Sequence, residues 1–156
     1  MSKIIVPSFK ITKNPIEWYK PEIAIQYDII FNGNRPNGDA QLFLRKVSDY
    51  EDSIFYQELL SLGVDQDGVL AHLNEFYPNG RGLEDDNPEH QKLTRLGIGK
   101  TVLEKITNDA LEHNAKVMYV FSTGRKSMID FLEKNDFTIC QNQKPSSKYR
   151  QGYKVL

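Results

Sequence analysis

Two glycines, one residue apart at the mouth of an amphipathic run, constrain this chain more than any other feature. Arg95-Leu96-Gly97-Ile98-Gly99-Lys100-Thr101 leads directly into Val102-Leu103-Glu104-Lys105-Ile106. The apolar stripe of Val102, Leu103, Ile106, Ala110 and Leu111 predicts a helix packed against a core. A helix start leaves backbone N–H groups without intrahelical acceptors and carries partial positive charge. Glycine at that point keeps side-chain bulk away from those amides. The loop is therefore suited to an anion, with phosphate or pyrophosphate the expected guest.

The rest of the chain limits what surrounds this loop. A length of 156 residues is read as one domain spanning 1–156, large enough for a substantial core. With 39% hydrophobic and 26% charged residues, the composition is that of a soluble globular protein. A net charge of −1 gives no general basicity for a nucleic-acid partner, and none is expected. Cys140 is the single cysteine, which rules out an intramolecular disulfide and a cysteine-based zinc site. His72 has no metal-spaced partner, so no metal is expected. Met1 to Pro7 lacks the apolar run of a signal peptide. No stretch reaches the roughly 18–20 apolar residues of a membrane span. A cytoplasmic location without membrane association is the expectation.

Along the chain, residues 3–11 read as a strand. Residues 22–32 and 39–47 read as the two arms of a hairpin around the turn-rich Asn32-Gly33-Asn34-Arg35-Pro36-Asn37-Gly38. Residues 53–62 admit two readings. Ile54, Tyr56, Glu58, Leu60 and Leu62 share a face in a strand, whereas Phe55, Leu59 and Leu62 come together in a helix. The short connection to a preceding hairpin favours the strand. Val69, Leu70, Leu73, Phe76 and Tyr77 have helical spacing, which predicts a helix over 67–77 inside a helical insert at about 63–92. After the glycine-loop helix, which Asn114 is expected to end in a left-handed cap, come a buried strand over 116–121 and a helix over about 125–134. Ser127 and Asp130 are spaced for a capping box that would start that helix one turn later. Strands at 136–141 and 149–155 close a mixed sheet.

Gly99-Lys100-Thr101 supplies the last three positions of the nucleotide-binding G-x-x-x-x-G-K-[ST] loop, but Thr94 stands where its first glycine belongs. The polar run 87–92 cannot be the buried strand such a loop follows. The strand ending Val120-Phe121-Ser122 lacks an aspartate for magnesium. A P-loop-like nucleotide-binding protein is therefore the weakest of the alternatives.

A different pattern covers about a third of the chain, roughly 93–141. Arg95-Leu96-Gly97-Ile98-Gly99 resembles the Q/R-x-x-G-x-G/A loop of the GCN5-related N-acetyltransferase (GNAT) family. Phe131-Leu132-Glu133-Lys134-Asn135-Asp136-Phe137 resembles that family's aromatic-Tyr-Glu-Lys-Leu-Gly-Phe segment, at the expected separation. In this chain Thr94 takes the family's Q/R position, Leu132 that of its frequent acid tyrosine, and Asp136 that of the closing glycine.

The resemblance implies an α/β (α+β) fold: a GNAT-like, mixed, mostly antiparallel sheet with helices on both faces. It implies acetyl-CoA as acetyl-donor cosubstrate and transfer to an unidentified amine, on a small molecule or peptide, by a monomer or homodimer. The alternative is a catalytically degenerate acyl-CoA-binding or interaction domain, the reading that Leu132 supports. Leu60, Leu62, Arg95, Leu96, Gly97, Ile98, Gly99, Lys100, Thr101, Arg125 and Lys126 are expected to bind the cofactor. The amine must lose a proton, which makes Glu58 and His90 candidate bases. Tyr149 is a candidate acid, with Tyr153 and Tyr119 behind it.

Overall fold

A computed structural model describes residues 9–15, 23–31, 36–77, 97–123, 126–140 and 149–156. Strands β1 (Phe9–Pro15), β2 (Ile23–Phe31) and β3 (Pro36–Lys46) form an antiparallel meander. A short 3-10 turn (Val47–Tyr50) and helix α1 (Tyr56–Ser61) lead to β4 (Val69–Tyr77), antiparallel to β3. Helix α2 (Ile98–Glu112) crosses to β5 (Ala115–Thr123), which runs parallel to β4. Helix α3 (Lys126–Lys134), β6 (Thr138–Ile139) and β7 (Tyr149–Val155) complete a seven-stranded sheet ordered β1-β2-β3-β4-β5-β7-β6. The sheet is mixed and mostly antiparallel, with helices on both faces, as the resemblance implied.

Strand alternation sends side chains to two cores. Ile25, Tyr27, Ile29, Leu42, Leu44, Leu73, Met118 and Val120 meet Ile98, Val102 and Ile106 of α2 and Leu132 of α3. On the other face Val47, Phe55, Tyr56 and Leu59 cover Leu70, Val117, Tyr119 and Tyr153. Each large side chain fully buried in this way contributes roughly 1.5–3 kcal/mol. On the α2 side, the buried carboxylate of Asp109 accepts a hydrogen bond from the Tyr27 hydroxyl at 2.7 Å and faces Lys13 at 3.6 Å, pinning the helix to the first two strands.

Two expectations are corrected. Residues 69–77 are the strand β4, not a helix within an insert. The register with β3 shifts between Gln41 and Leu42, opposite Glu75 and Leu73, leaving Asn74 as an extra residue. That bulge places Phe76 in the same core as Ala71 and Leu73, so the spacing of buried residues lengthens and imitates a helical stripe. Residues 53–62 are not a strand but a turn and helix α1. Phe55 and Leu59, four apart, are fully buried, whereas Ile54 and Leu62 of the expected strand face are 42% and 58% exposed. Helix α3 starts at Lys126, so Ser127 lies within its first turn rather than before it. Asn114 does end α2 in the left-handed conformation, at φ 62°.

Candidate active site

The site lies where β4 and β5 part. Their parallel pairing ends at Leu73 and Val120. Beyond that row β4 continues on β3 to Tyr77, and β5 continues on β7 to Thr123. Among the described residues, β4 and β5 make no ladder pairing with each other beyond that row. Because β4-α2-β5 is a parallel crossover, the N-terminus of α2 lies at the same carboxyl end of the two strands, where such folds take their ligands.

Gly97 opens that helix at φ 70°, a left-handed conformation that glycine adopts without cost. Among the described residues, a Cβ built on it would meet nothing within 4 Å. Thr101 N–H donates to Gly97 O at 3.1 Å, the first bond of the helix, and the Thr101 hydroxyl donates to the same oxygen at 3.1 Å. The amides of Ile98, Gly99 and Lys100 precede that bond and have no intrahelical acceptor. Ile98 is anchored in the core, while Lys100 is exposed beside the amides. Such a cradle is suited to an anion through backbone groups and one cation. Lys126 is exposed at the first position of α3. Arg95, Leu96, Arg125 and His90 lie outside the described residues.

Leu60 and Leu62 were expected to bind the cofactor from a strand over 53–62. They sit on and just after α1 instead, and β4 holds the place assigned to them. Glu58, also on α1, is exposed. Its carboxylate is hydrogen-bonded by the Tyr153 hydroxyl, and burial together with that carboxylate pushes the phenol up to about 12. Burial, with Glu58 nearby, raises the Cys140 thiol to about 11. Tyr149 opens β7 opposite Thr123, the last residue of β5. Tyr119 has its ionisation pushed above the ordinary phenol range by burial and is stacked on Phe55 at 4.7 Å.

Sequence reasoning read His72 as a structural residue on a helix. It stands on β4, one row before the fork, opposite Tyr119. The Tyr50 hydroxyl and His72 Nδ1 share a 2.7 Å hydrogen bond, and the Tyr119 ring lies 4.7 Å away. Burial, and then the charge of Arg45, push the imidazole down to about 4, so it is neutral at physiological pH. Next to it runs a ladder of amides. The bulged Asn74 donates to Gln41 at 2.9 Å, Gln41 donates to Gln26 at 3.0 Å, and Gln26 donates to Asp28 at 3.2 Å. No spacing rule exposes these groups, because sheet register alone brings them together.

The segment after α3 also explains a departure from the family pattern. Asp136 has φ 70° at the position of the family's glycine. Phe137 N–H donates back to Leu132 O at 3.0 Å, and Asp136 N–H to Glu133 O at 3.1 Å, the closing bonds of a helix end. Leu132 itself is 1% exposed in the core. Among the described residues no group of three or more His, Cys, Asp or Glu is placed to hold a metal ion. None of the helices described is long and apolar enough to cross a membrane.

No family model and no curated protein matches the chain. Solved structures do. A GNAT-family acetyltransferase from Staphylococcus aureus Mu50 is 17% identical, with a TM-score of 0.53 over 85% of this chain and 67% of that one. Arabidopsis thaliana NAA60, in complex with a bisubstrate analogue, is 9% identical with a TM-score of 0.55 over 85% and 74%. A GNAT-family acetyltransferase from Elizabethkingia anophelis with acetyl-CoA bound is 11% identical with a TM-score of 0.51 over 94% and 98%. With its forked sheet, glycine-opened helix and these neighbours, the chain has the fold of the GCN5-related N-acetyltransferases.

Proposed function

We propose that this chain is an acyl-CoA-dependent N-acyltransferase that takes acetyl-CoA as donor and an amine as acceptor. The observation that carries this reading is the parting of β4 from β5 after Leu73 and Val120, at the N-terminus of α2. Two solved neighbours with this fold are complexes with acetyl-CoA, NAA60 and the Elizabethkingia protein. The donor would bring an acetyl thioester.

The chain's own groups divide the remaining work. The amides of Ile98, Gly99 and Lys100, with Lys126 nearby in sequence order on the next helix, bind phosphate oxygens. Arg95, Leu96, Thr101 and Arg125 belong to the same proposed anion site. Amides on the β4 edge at the fork donate to the carbonyl oxygen as negative charge develops there. Glu58 accepts the amine's proton, and the Tyr153 hydroxyl, protonated at neutral pH, orients that carboxylate. Tyr149, at the far end of β7, and His90 retain their proposed roles as acid and base. Leu132 cannot donate a proton, so the leaving thiolate takes one from another group or from water.

Acetyl-CoA near 100 times its dissociation constant should stabilise the protein by about 2.7 kcal/mol, a melting shift of several degrees. ATP should give none. CoA release from acetyl-CoA with a mixed panel of amines then tests turnover. Stabilisation without release would favour the degenerate binding domain, the reading that the buried Leu132 supports. Stabilisation by neither ligand would remove both.

A further inference from the structure

Among the described residues, His72 Nε2 and Gln151 Oε1, both on the η-turn and α1 face of the sheet, are buried polar atoms with no hydrogen-bond partner. An unpaired buried polar atom destabilises a fold, and one is retained where a ligand supplies the missing bond. The register puts both atoms at the fork. His72 stands opposite Tyr119, and Tyr119 opposite Tyr153. Two rows further on, Phe121 stands opposite Gln151. Tyr119 and Tyr153 both lie against Phe55, so Phe121 and Gln151, two residues along without a register shift, share that face. The Phe55 side of this face is covered, whereas Phe121 is 42% exposed. His72 and Gln151 therefore flank β5 on one face of the sheet, on either side of the row where β4 and β5 part. By strand spacing and rise their Cα atoms stand about 12 Å apart.

The two atoms differ in chemistry. Gln151 Oε1 is an acceptor and suits an amine N–H. His72 Nδ1 is held by Tyr50, and with the Tyr50 hydroxyl as donor the ring proton resides on Nε2. That N–H is a donor in the field of the Arg45 guanidinium, which lies over the Phe43 ring at 5.6 Å beside the Phe43–His72 edge contact. A donor beside a cation suits a carboxylate oxygen. We infer that Gln151 and His72 form the acceptor subsite and that the acceptor is a small amine bearing a carboxylate, a free amino acid. This inference rests on the acyl-transfer reading and names the substrate class for the same fork.

The test compares free amino acids, their carboxamides and simple alkylamines as acceptors at fixed acetyl-CoA, and repeats the panel with Gln151→Leu and His72→Gln. Free amino acids should exceed both other classes at least tenfold in kcat/KM. Gln151→Leu should erase that preference through KM, with acetyl-CoA affinity unchanged by calorimetry. It should not lower the melting temperature, since it removes an unpaired polar atom; a clear loss of stability would show a structural partner for Gln151 and overturn the subsite. Equal use of alkylamines or carboxamides, or an unchanged preference in Gln151→Leu, would also overturn it while leaving acyl transfer standing. Should acetyl-CoA neither bind nor react, the acyl-transfer reading fails on its own, and the subsite is decided by heat stabilisation alone. Amino acids must then stabilise the wild type more than Gln151→Leu, and equal shifts refute it.

Discussion

At the scale of single residues, the two most informative side chains are buried and polar. Tyr27 and Asp109 meet far apart in sequence, and the hydroxyl is the direct donor to a carboxylate that is 6% exposed. Tyr27→Phe should cost about 1.5–3 kcal/mol, the range for a hydrogen bond to a charged group, read as a lower urea midpoint at unchanged slope. His72 makes stability depend on pH. Its folded value of about 4 lies below the unfolded 6.5, so between these values the unfolded chain binds more protons. The stabilising contribution is full above pH 6.5 and is lost as pH falls towards 4, by roughly 3 kcal/mol in total. His72→Gln should flatten the stability profile in that window by up to one proton while leaving it unchanged above pH 7. Neither role was legible in sequence. Asp109 reads as a polar position on a helix, and His72 as a core histidine, until sheet register brings Tyr27, Tyr50 and Arg45 to them. Gly97 was legible, because its requirement is local: a left-handed residue before a helix.

At the scale of elements, sequence periodicity succeeded where one pattern served one face. Helix α2 and β5 occupy nearly the spans expected, because the stripe of Val102, Leu103, Ile106 and Ala110 meets a single core. It failed at β4, where Leu70 enters one core, Ala71 and Leu73 the other, and the extra residue Asn74 changes the phase before Phe76. Pairing with β3 and β5 overrode the local pattern, as tertiary context does for strands. It failed again at α1, where an alternating pattern concealed the Phe55–Leu59 contact. The pairing of β6 with β7 is tight. A Cβ on Gly152 would stand 3.0 Å from Ile139 Cδ1, 3.3 Å from Thr138 O and 3.4 Å from Val120 Cγ1. Gly152→Ala should therefore cost about 1–3 kcal/mol by thermal or urea unfolding, chiefly by pushing β6 away, since the backbone oxygen of Thr138 cannot rotate aside.

At the scale of the whole molecule, one topological choice makes the site. A meander on β3 and a hairpin-like pair on β7 hold β4 and β5 from opposite sides, and the parallel crossover between them sets a helix N-terminus at their open ends. The fold was legible because it rests on short, local signals at 95–101 and 131–137. The proposed acceptor face was not, because it is assembled from β3, β4, β5, β7 and α1. The central claim is that the amides opening α2 hold the phosphates of an acyl-CoA. Calorimetric titration of acetyl-CoA into Gly97→Asn and Gly97→Asp tests it most directly. Both side chains tolerate the left-handed conformation and differ in little but charge, and an acidic residue at a helix start does not weaken the helix. The account predicts near wild-type binding in Gly97→Asn and at least tenfold weaker binding in Gly97→Asp, about 1.4 kcal/mol, with melting temperatures alike. Equal affinity in the two variants would contradict it.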